Sequence, residues 1–487
     1  MIFSSPEFLA FFALLLGLLA LPWALHSRKR IVILASCFFY ATWDIRYVPL
    51  LLGVTLVDYL VGRGLAVTEQ PRRRRYWLAC SLIVNLSVLG FFKYVDFFIG
   101  NVNSLIGALG IVLPYQHIVL PVGISFYTFM SMSYSIDVYR RKIEPLRSLR
   151  RYLTFMTFFP SMIAGPIVRA SEFLPQLDRP LRASSERLMI GGSIFVLGLI
   201  EKRVVADRLA QFADPIFADP GIFDTATLRL ETFAYSGQIF CDFSAYSMMA
   251  IGVAKCLGID LPQNFRLPYL STSISEFWRR WHMTLSFWLR DYLYISLGGS
   301  RQGRLRTLFA LSATMLLGGL WHGASWNFVL WGGLHGLALV LHRIWKETTR
   351  WRLPPVLGWL LTFVFVSISW VPFRADGLET TLTLLQRMLQ PSEGASFLSP
   401  IAIGLLLVIV LAHGIGRLVD RGPDRLPGQV QQLFQVFGLE VHDGGLSGRF
   451  VIWNGRTVAS WWLLGMLAYL FWWFSVLKTS PFVYFQF

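Results

Sequence analysis

Residues 275–336 read SEFWRRWHMTLSFWLRDYLYISLGGSRQGRLRTLFALSATMLLGGLWHGASWNFVLWGGLHG, and they hold three of the eight histidines, His282, His322 and His335. The stretch opens aromatic and arginine-rich, crosses a charged turn at Gly298–Arg306, and ends in an apolar, glycine-rich run with His322 in its middle. An ionisable side chain at membrane depth is costly, so it marks a functional site by default. The rest of the chain reads as the housing of this core.

The housing is apolar. Of 487 residues, 55% are hydrophobic and 15% charged, whereas a soluble domain carries roughly 25% charged residues. Apolar runs recur from Phe8 to Leu477, and at about 20 residues per span about ten to twelve spanning or half-spanning helices fit. Long runs such as Pro400–Ala412, without strand-like alternation, exclude a barrel. The fold class is therefore an all-α, polytopic integral membrane protein, read as one domain over 1–487. The net charge of +16 fits basic loops that orient a membrane protein and touch anionic membrane lipid. It does not call for nucleic acid. Cys37, Cys80, Cys241 and Cys256 are scattered and show no zinc spacing. The first apolar segment precedes its basic cluster, Arg28–Arg30, the reverse of a secretory signal, so it reads as a retained helix over about 6–25.

Two short apolar pieces follow, 31–43 and 47–61, interrupted by Asp44 and Arg46. Pro121 and Gly123 predict a break or bend within the span 117–138. Pro160, Gly165 and Pro166 predict a broken or re-entrant element in FFPSMIAGPIVR. Residues 228–257 form a long helix with Gln238, Asp242, Ser244, Tyr246 and Ser247 embedded. Asp242 at this depth needs a partner, and an arginine pair and a substrate role are equally open. The hydrophilic loop 413–448 contains VQQLFQVFGL, a loose amphipathic pattern. The terminal SPFVYFQF reads as an aromatic interface anchor.

Placed on a helical wheel, 275–294 shows three faces. Trp278, Trp281, Leu285 and Trp288 share one; Arg279, His282, Ser286 and Arg290 a second; Glu276, Arg280, Thr284 and Asp291 a third. Such a helix lies in the interface or lines a wet mouth. Its arginine face suits either a phosphate-bearing ligand, through bidentate guanidinium bonds, or lipid headgroups. Glu276 and Arg280 form an i,i+4 pair. Gly318, Gly319 and Gly323 leave room beside His322 for a close helix or a thin ligand. His322 itself suits either a general base acting on a hydroxyl or a hydrogen bond between helices. His335 and His342 share a face, but no carboxylate or cysteine completes a metal site. No Walker loop or Gly-x-Ser-x-Gly elbow is present.

SEFWRRWHMTLSFWLRDYLYISLGG followed by LLGGLWHGASWNFVLWGGLHG resembles the membrane-bound O-acyltransferase family, in particular its bacterial branch that acetylates alginate. ILASCFFYATWDIRYVPLL, LPVGISFYTFMSMSYSIDVYR, QIFCDFSAYSMMAIGVAKCLGI and NFRLPYLSTSISEFWRRWH extend the likeness over most of the chain. The resemblance implies a ring of tilted helices in which a cytoplasmic and a periplasmic funnel meet at a thin core. It implies His322 as the catalytic residue and His282 as the second family histidine. Arg279, Arg290, Trp321 and Asn327 become candidate donor-binding residues, and Asp242 and Tyr246 candidate structural or acceptor-side groups. It further implies a location in the bacterial inner membrane and no bound cofactor, with acetyl-CoA as donor substrate. The partners it implies are a periplasmic SGNH-type acetyltransferase and an exopolysaccharide synthesis and secretion complex. In CDFSAYSMMAIG the alginate-type pattern has Gly where Ala245 stands and Asp where Met248 stands, which leaves cellulose or another polymer as acceptor. A polysaccharide or lipid-linked sugar transporter is the rival reading of the same mid-membrane histidines.

Overall fold

The computed structural model describes every residue except 164, 180, 182–183, 476–481 and 483–487. The terminal aromatic segment therefore lies outside the described residues apart from Phe482. The chain is helical nearly throughout and divides into two compact units: Met1–Leu188 with Val253–Pro262, and Met189–Gly252 with Gln263–Phe487. Of the three crossings between them, those at 188/189 and 252/253 fall inside helices, where no linker composition announces them to a sequence read as one domain, and the third, at 262/263, falls in the irregular stretch after Cys256.

The first unit contains α1 (Pro6–Ala20), α2 (Leu25–Asp44), α3 (Val48–Val67), α4 (Pro71–Leu89), α5 (Val95–Ile106), α6 (Ile124–Tyr139) and α7 (Leu149–Met156). α2 and α3 are longer than the short pieces expected. They are separated at the foreseen place, because Asp44 caps the turn Ile45–Tyr47 and pairs with Arg46 at 2.6 Å. Gly123 starts α6 at φ +76°, and a Cβ there would strike the Met162 carbonyl. The 158–169 segment is broken as its prolines predict: one helical turn at Phe159–Met162, then bends and irregular backbone among the described residues up to Arg169.

Two of the basic clusters do more than orient the protein. Arg28 is buried and donates to the carbonyls of Leu19, Leu21 and Trp23 at the end of α1 and to that of Leu181. Arg74 does the same for Leu65 at the end of α3 and for Val138 and Tyr139 at the end of α6. Helix C-termini leave carbonyls unpaired and carry partial negative charge, so a guanidinium satisfies both needs. At the centre of this unit Asp58 is fully buried. It accepts from Ser81 and Ser131, from Asn85 Nδ2 at 2.7 Å and from Ser135 at 3.0 Å.

The second unit contains α8 (Ser185–Ile200, less its first turn), α9 (Asp207–Ala218), α10 (Thr225–Cys256, up to Gly252), α11 (Arg304–His322), α12 (Trp326–Thr348), α13 (Pro355–Arg374), α14 (Leu378–Leu389), α15 (Pro400–Val419), α16 (Gly428–Val436) and α17 (Val458–Phe474). α16 is the amphipathic helix read in VQQLFQVFGL. The antiparallel hairpin that follows it was not foreseen: β1 (Leu439–Asp443) pairs with β2 (Arg449–Trp453), Val441 opposite Val451.

Among the described residues six segments are long and apolar enough to cross a membrane: 27–67, 71–109, 225–256, 326–348, 355–374 and 400–419; α1 and α17 are shorter apolar helices. Segments 27–67 and 71–109 each hold two of the helices above, so the six segments do not count against the ten to twelve spanning or half-spanning helices expected. The protein is a multi-pass, all-α membrane protein.

Candidate active site

The site is built on the α11–α12 hairpin. These helices touch backbone to backbone: a Cβ on Gly319 would strike the Phe328 carbonyl, and one on Gly332 the Met315 carbonyl. The Phe328 ring fills the space beside Gly323. Of the two uses expected for these glycines, the close helix holds at Gly319 and Gly323, and the space there is not left for a thin ligand. Gly323 is extended, at φ −164°, and ends α11 at His322.

His322 is 5% exposed. Its ring meets three others edge to face: Trp321 at 5.0 Å, Trp331 at 5.0 Å and Phe373 at 5.2 Å. Edge-to-face packing fixes an imidazole plane by quadrupole and dispersion forces. Trp331 passes the packing on to His335, 4.7 Å away, whose Nε2 lies 3.0 Å from Ser369 Oγ on α13. His335 is thus the histidine hydrogen-bonded between helices.

His282 requires a correction of the local reading. Residues 275–294 are not one helix. Ile274–Phe277 makes one turn, His282 takes the left-handed conformation at φ +41°, Met283–Trp288 resumes, and a wider helical turn covers 289–294. A left-handed non-glycine residue costs roughly 1–2 kcal/mol, and the neighbouring chain holds it there. Met283 N donates to Asn264 O at 2.8 Å, and Arg266 N to Arg280 O at 2.9 Å. Asn264 also accepts from Thr284 at 2.6 Å and donates to Ser247 at 3.0 Å. The break turns His282 inward, fully buried, with its ring 4.6 Å from Phe243 and 6.1 Å from Trp321. Burial pushes its pKa down to about 3, so the imidazole is neutral at physiological pH.

The structure therefore brings His282, Trp321 and His322 together, with the Trp321 ring in contact with both histidines. Asn327 is buried nearby and donates to Ala375 O at 2.6 Å, tying the first turn of α12 to the end of α13. Arg279 and Arg290 do not join His282 on one face as the wheel placed them. Both are exposed, and Arg290 pairs with Asp291 at 2.6 Å and lies over the Phe287 ring at 4.9 Å. The Glu276–Arg280 pair forms as read, at 2.8 Å.

Asp242 has its partner, but the partner is a lysine. Lys202 Nζ lies 2.6 Å from Asp242 and 2.8 Å from Asp207, and all three are buried. Tyr246, one turn on, stacks on Phe482 at 4.5 Å. On the same helix, Glu231, Tyr235 and Gln238 are buried, and among the described residues neither Glu231 oxygen, nor the Tyr235 hydroxyl, nor Gln238 Oε1 has a hydrogen-bond partner. The sequence reading passed over Glu231. Its signal was the spacing 231, 235, 238, 242, which puts four polar side chains on one helical face.

Fold and site together define a multi-pass membrane enzyme with paired histidines packed around a buried tryptophan. The model of MBOAT, the membrane-bound O-acyltransferase family, matches residues 63–373. The chain belongs to this family and is an acyltransferase. It is 41% identical over 394 residues to a probable alginate O-acetylase AlgI of Azotobacter vinelandii, covering 80% of this chain and 78% of that protein. It is 40% identical over 389 residues to a peptidoglycan O-acetyltransferase of Helicobacter pylori, covering 74% and 73%. With a teichoic acid D-alanyltransferase of Streptococcus thermophilus it shares 30% over 286 residues, covering 52% and 68%.

Proposed function

We propose that this enzyme takes acetyl groups from acetyl-CoA on the cytoplasmic side of a bacterial inner membrane and passes them outward for O-acetylation of an exopolysaccharide such as alginate. A periplasmic SGNH-type partner and the exopolysaccharide synthesis and secretion complex complete the transfer. The observation that carries the reading is His322, buried and oriented by three aromatic rings in a chain whose relatives include O-acetyltransferases. In the proposed reaction His322 takes the proton of an attacking hydroxyl. The hydroxyl oxygen bonds to the thioester carbonyl carbon, the carbon–sulfur bond breaks, and the leaving thiolate receives the proton. His282, neutral, keeps the far side of Trp321 packed. Trp321 and Asn327 border the donor thioester, Arg279 is the exposed cation available to the donor phosphates, and Arg290 reaches them only by leaving Asp291. Tyr246 stands on the acceptor side with Asp242 in its ion pair.

The test is transfer of radiolabelled acetyl from acetyl-CoA by purified protein in proteoliposomes, with candidate polymers and partner proteins added. Wild type moves label to a polymer or partner; His322→Ala, folded and inserted, does not. Label transfer by His322→Ala overturns the catalytic assignment. Absence of transfer from acetyl-CoA with active wild type, but transfer from an acylated carrier protein, overturns the donor.

A further inference from the structure

At one end of α12 and α13 lies a groove of about 740 Å³ whose lining includes none of the residues assigned above to the acyl transfer. Lys346, Arg350 and Arg352 line it at one end, and Ile274, Ala338, Leu361 and Phe365 line it with the polar His342 and Thr362 among them. The three rim cations have no carboxylate partner among the described residues. Glu347, the acid nearest them in sequence, is turned to Arg343 at 2.6 Å and Arg304 at 3.3 Å. Gly358 allows α13 to close the groove against the Thr272 carbonyl, which a Cβ would meet at 2.6 Å.

The side of the membrane follows from charge. The connection 343–354 holds Arg343, Lys346, Arg350 and Arg352 against Glu347 alone, while 374–399, at the other end of α13, holds two arginines against three acids. Cation-rich connections stay in the cytoplasm. The rim thus sits where two membrane-crossing helices end, at the level of cytoplasmic headgroups. Trp345 and Trp351 line it, their rings 5.5 Å apart. The floor runs from there toward bilayer depth, and Leu361 is exposed on it as lipid-facing residues are. Fixed cations above an apolar trough match a phosphate joined to hydrocarbon. A nucleotide phosphate shares the charge but has no use for the trough.

We propose that this groove binds one anionic glycerophospholipid, its phosphate clamped by Lys346, Arg350 and Arg352 and an acyl chain laid along Ala338, Leu361 and Phe365. The bound lipid bears on the catalytic core through ring contacts. Phe365 lies 5.3 Å from His335, which packs on Trp331, which packs on His322.

The experiment is native mass spectrometry of the full-length protein, released from bilayers of phosphatidylcholine with added phosphatidylglycerol. It reads binding without turnover, so it does not depend on the acetyl donor. Wild type retains one phosphatidylglycerol. Lys346→Gln/Arg350→Gln/Arg352→Gln, all exposed positions, retains it about 100-fold less well, at about a fivefold loss per cation. Ala338→Trp, which fills the trough and leaves every charge in place, also loses it; Ala338→Leu, a smaller filling, loses it in part. Equal retention in wild type and the triple variant overturns the site. Retention unaffected by either Ala338 variant shows surface attraction only and overturns it as well. Displacement of the lipid by adenosine 3′,5′-bisphosphate assigns the cations to a nucleotide and overturns the lipid.

Discussion

Asp58 in the first unit and Asp242 in the second are both buried carboxylates on apolar helices, and they are accommodated in opposite ways. Asp58 is met by neutral donors only: three serine hydroxyls and the Asn85 amide, supplied by α4 and α6 to a residue of α3. Asp242 is met by a full charge, Lys202, which it shares with Asp207. A carboxylate ringed by hydroxyls locks three helices together and offers nothing further. In the second unit, by contrast, the helix that bears Asp242 also presents buried polar atoms that packing has not consumed, in the unit that holds His282 and His322. The difference separates a scaffold from a working region. A change at Asp58 should be read as stability and a change at His322 as activity.

The sharpest test of that division is His322→Ala, expected to lower acetyl transfer by about 10²–10⁴-fold, the usual scale for a general base, a loss far larger than the modest fall in melting temperature from the cavity it leaves among three rings. Asp58→Ala should do the reverse. Four buried donors lose their acceptor, and at about 1–3 kcal/mol per orphaned group the expected loss is at least about 4 kcal/mol, large on the scale of single mutations. Transfer per folded molecule should hold, and a fall in the turnover of the folded fraction would break the comparison. Lys202→Met leaves two buried acids without their cation and should cost about 3 kcal/mol. Adding Asp207→Asn and Asp242→Asn should return part of it, whereas no recovery would show that Lys202 matters for more than its charge. The smallest effect is Ser369→Ala, which removes the His335 hydrogen bond at about 1 kcal/mol and should leave transfer within a few-fold of wild type.

How much of this was legible beforehand depends on where each residue's partner lies in the chain. The interruption at Asp44, the break at Gly123, the broken 158–169 segment, the helix Gly428–Val436 and the Glu276–Arg280 pair were all readable, because each is decided by residues a few positions apart. His322 was readable too, since a histidine between glycines in an apolar run is rare. The 275–294 wheel failed for the complementary reason. Its residues have helical periodicity, but His282 is held in a left-handed turn by Asn264, some eighteen positions earlier, and no local pattern records that. The lysine that answers Asp242 is forty residues away, in the wide helical turn Glu201–Ala206 that joins α8 to α9.

The sequence by itself determined a multi-pass helical membrane protein, its apolar spans, its breaks and the histidine at its core, because hydrophobic periodicity, proline and glycine act on their immediate neighbours. Only the tertiary structure decided that the glycines beside His322 are closed by Phe328, that His282 points inward to Trp321, that Asp58 and Asp242 are satisfied by such different means, and that Lys346, Arg350 and Arg352 rim a groove. Those outcomes are contacts between segments distant in the chain, and such contacts exist only once the helices have packed.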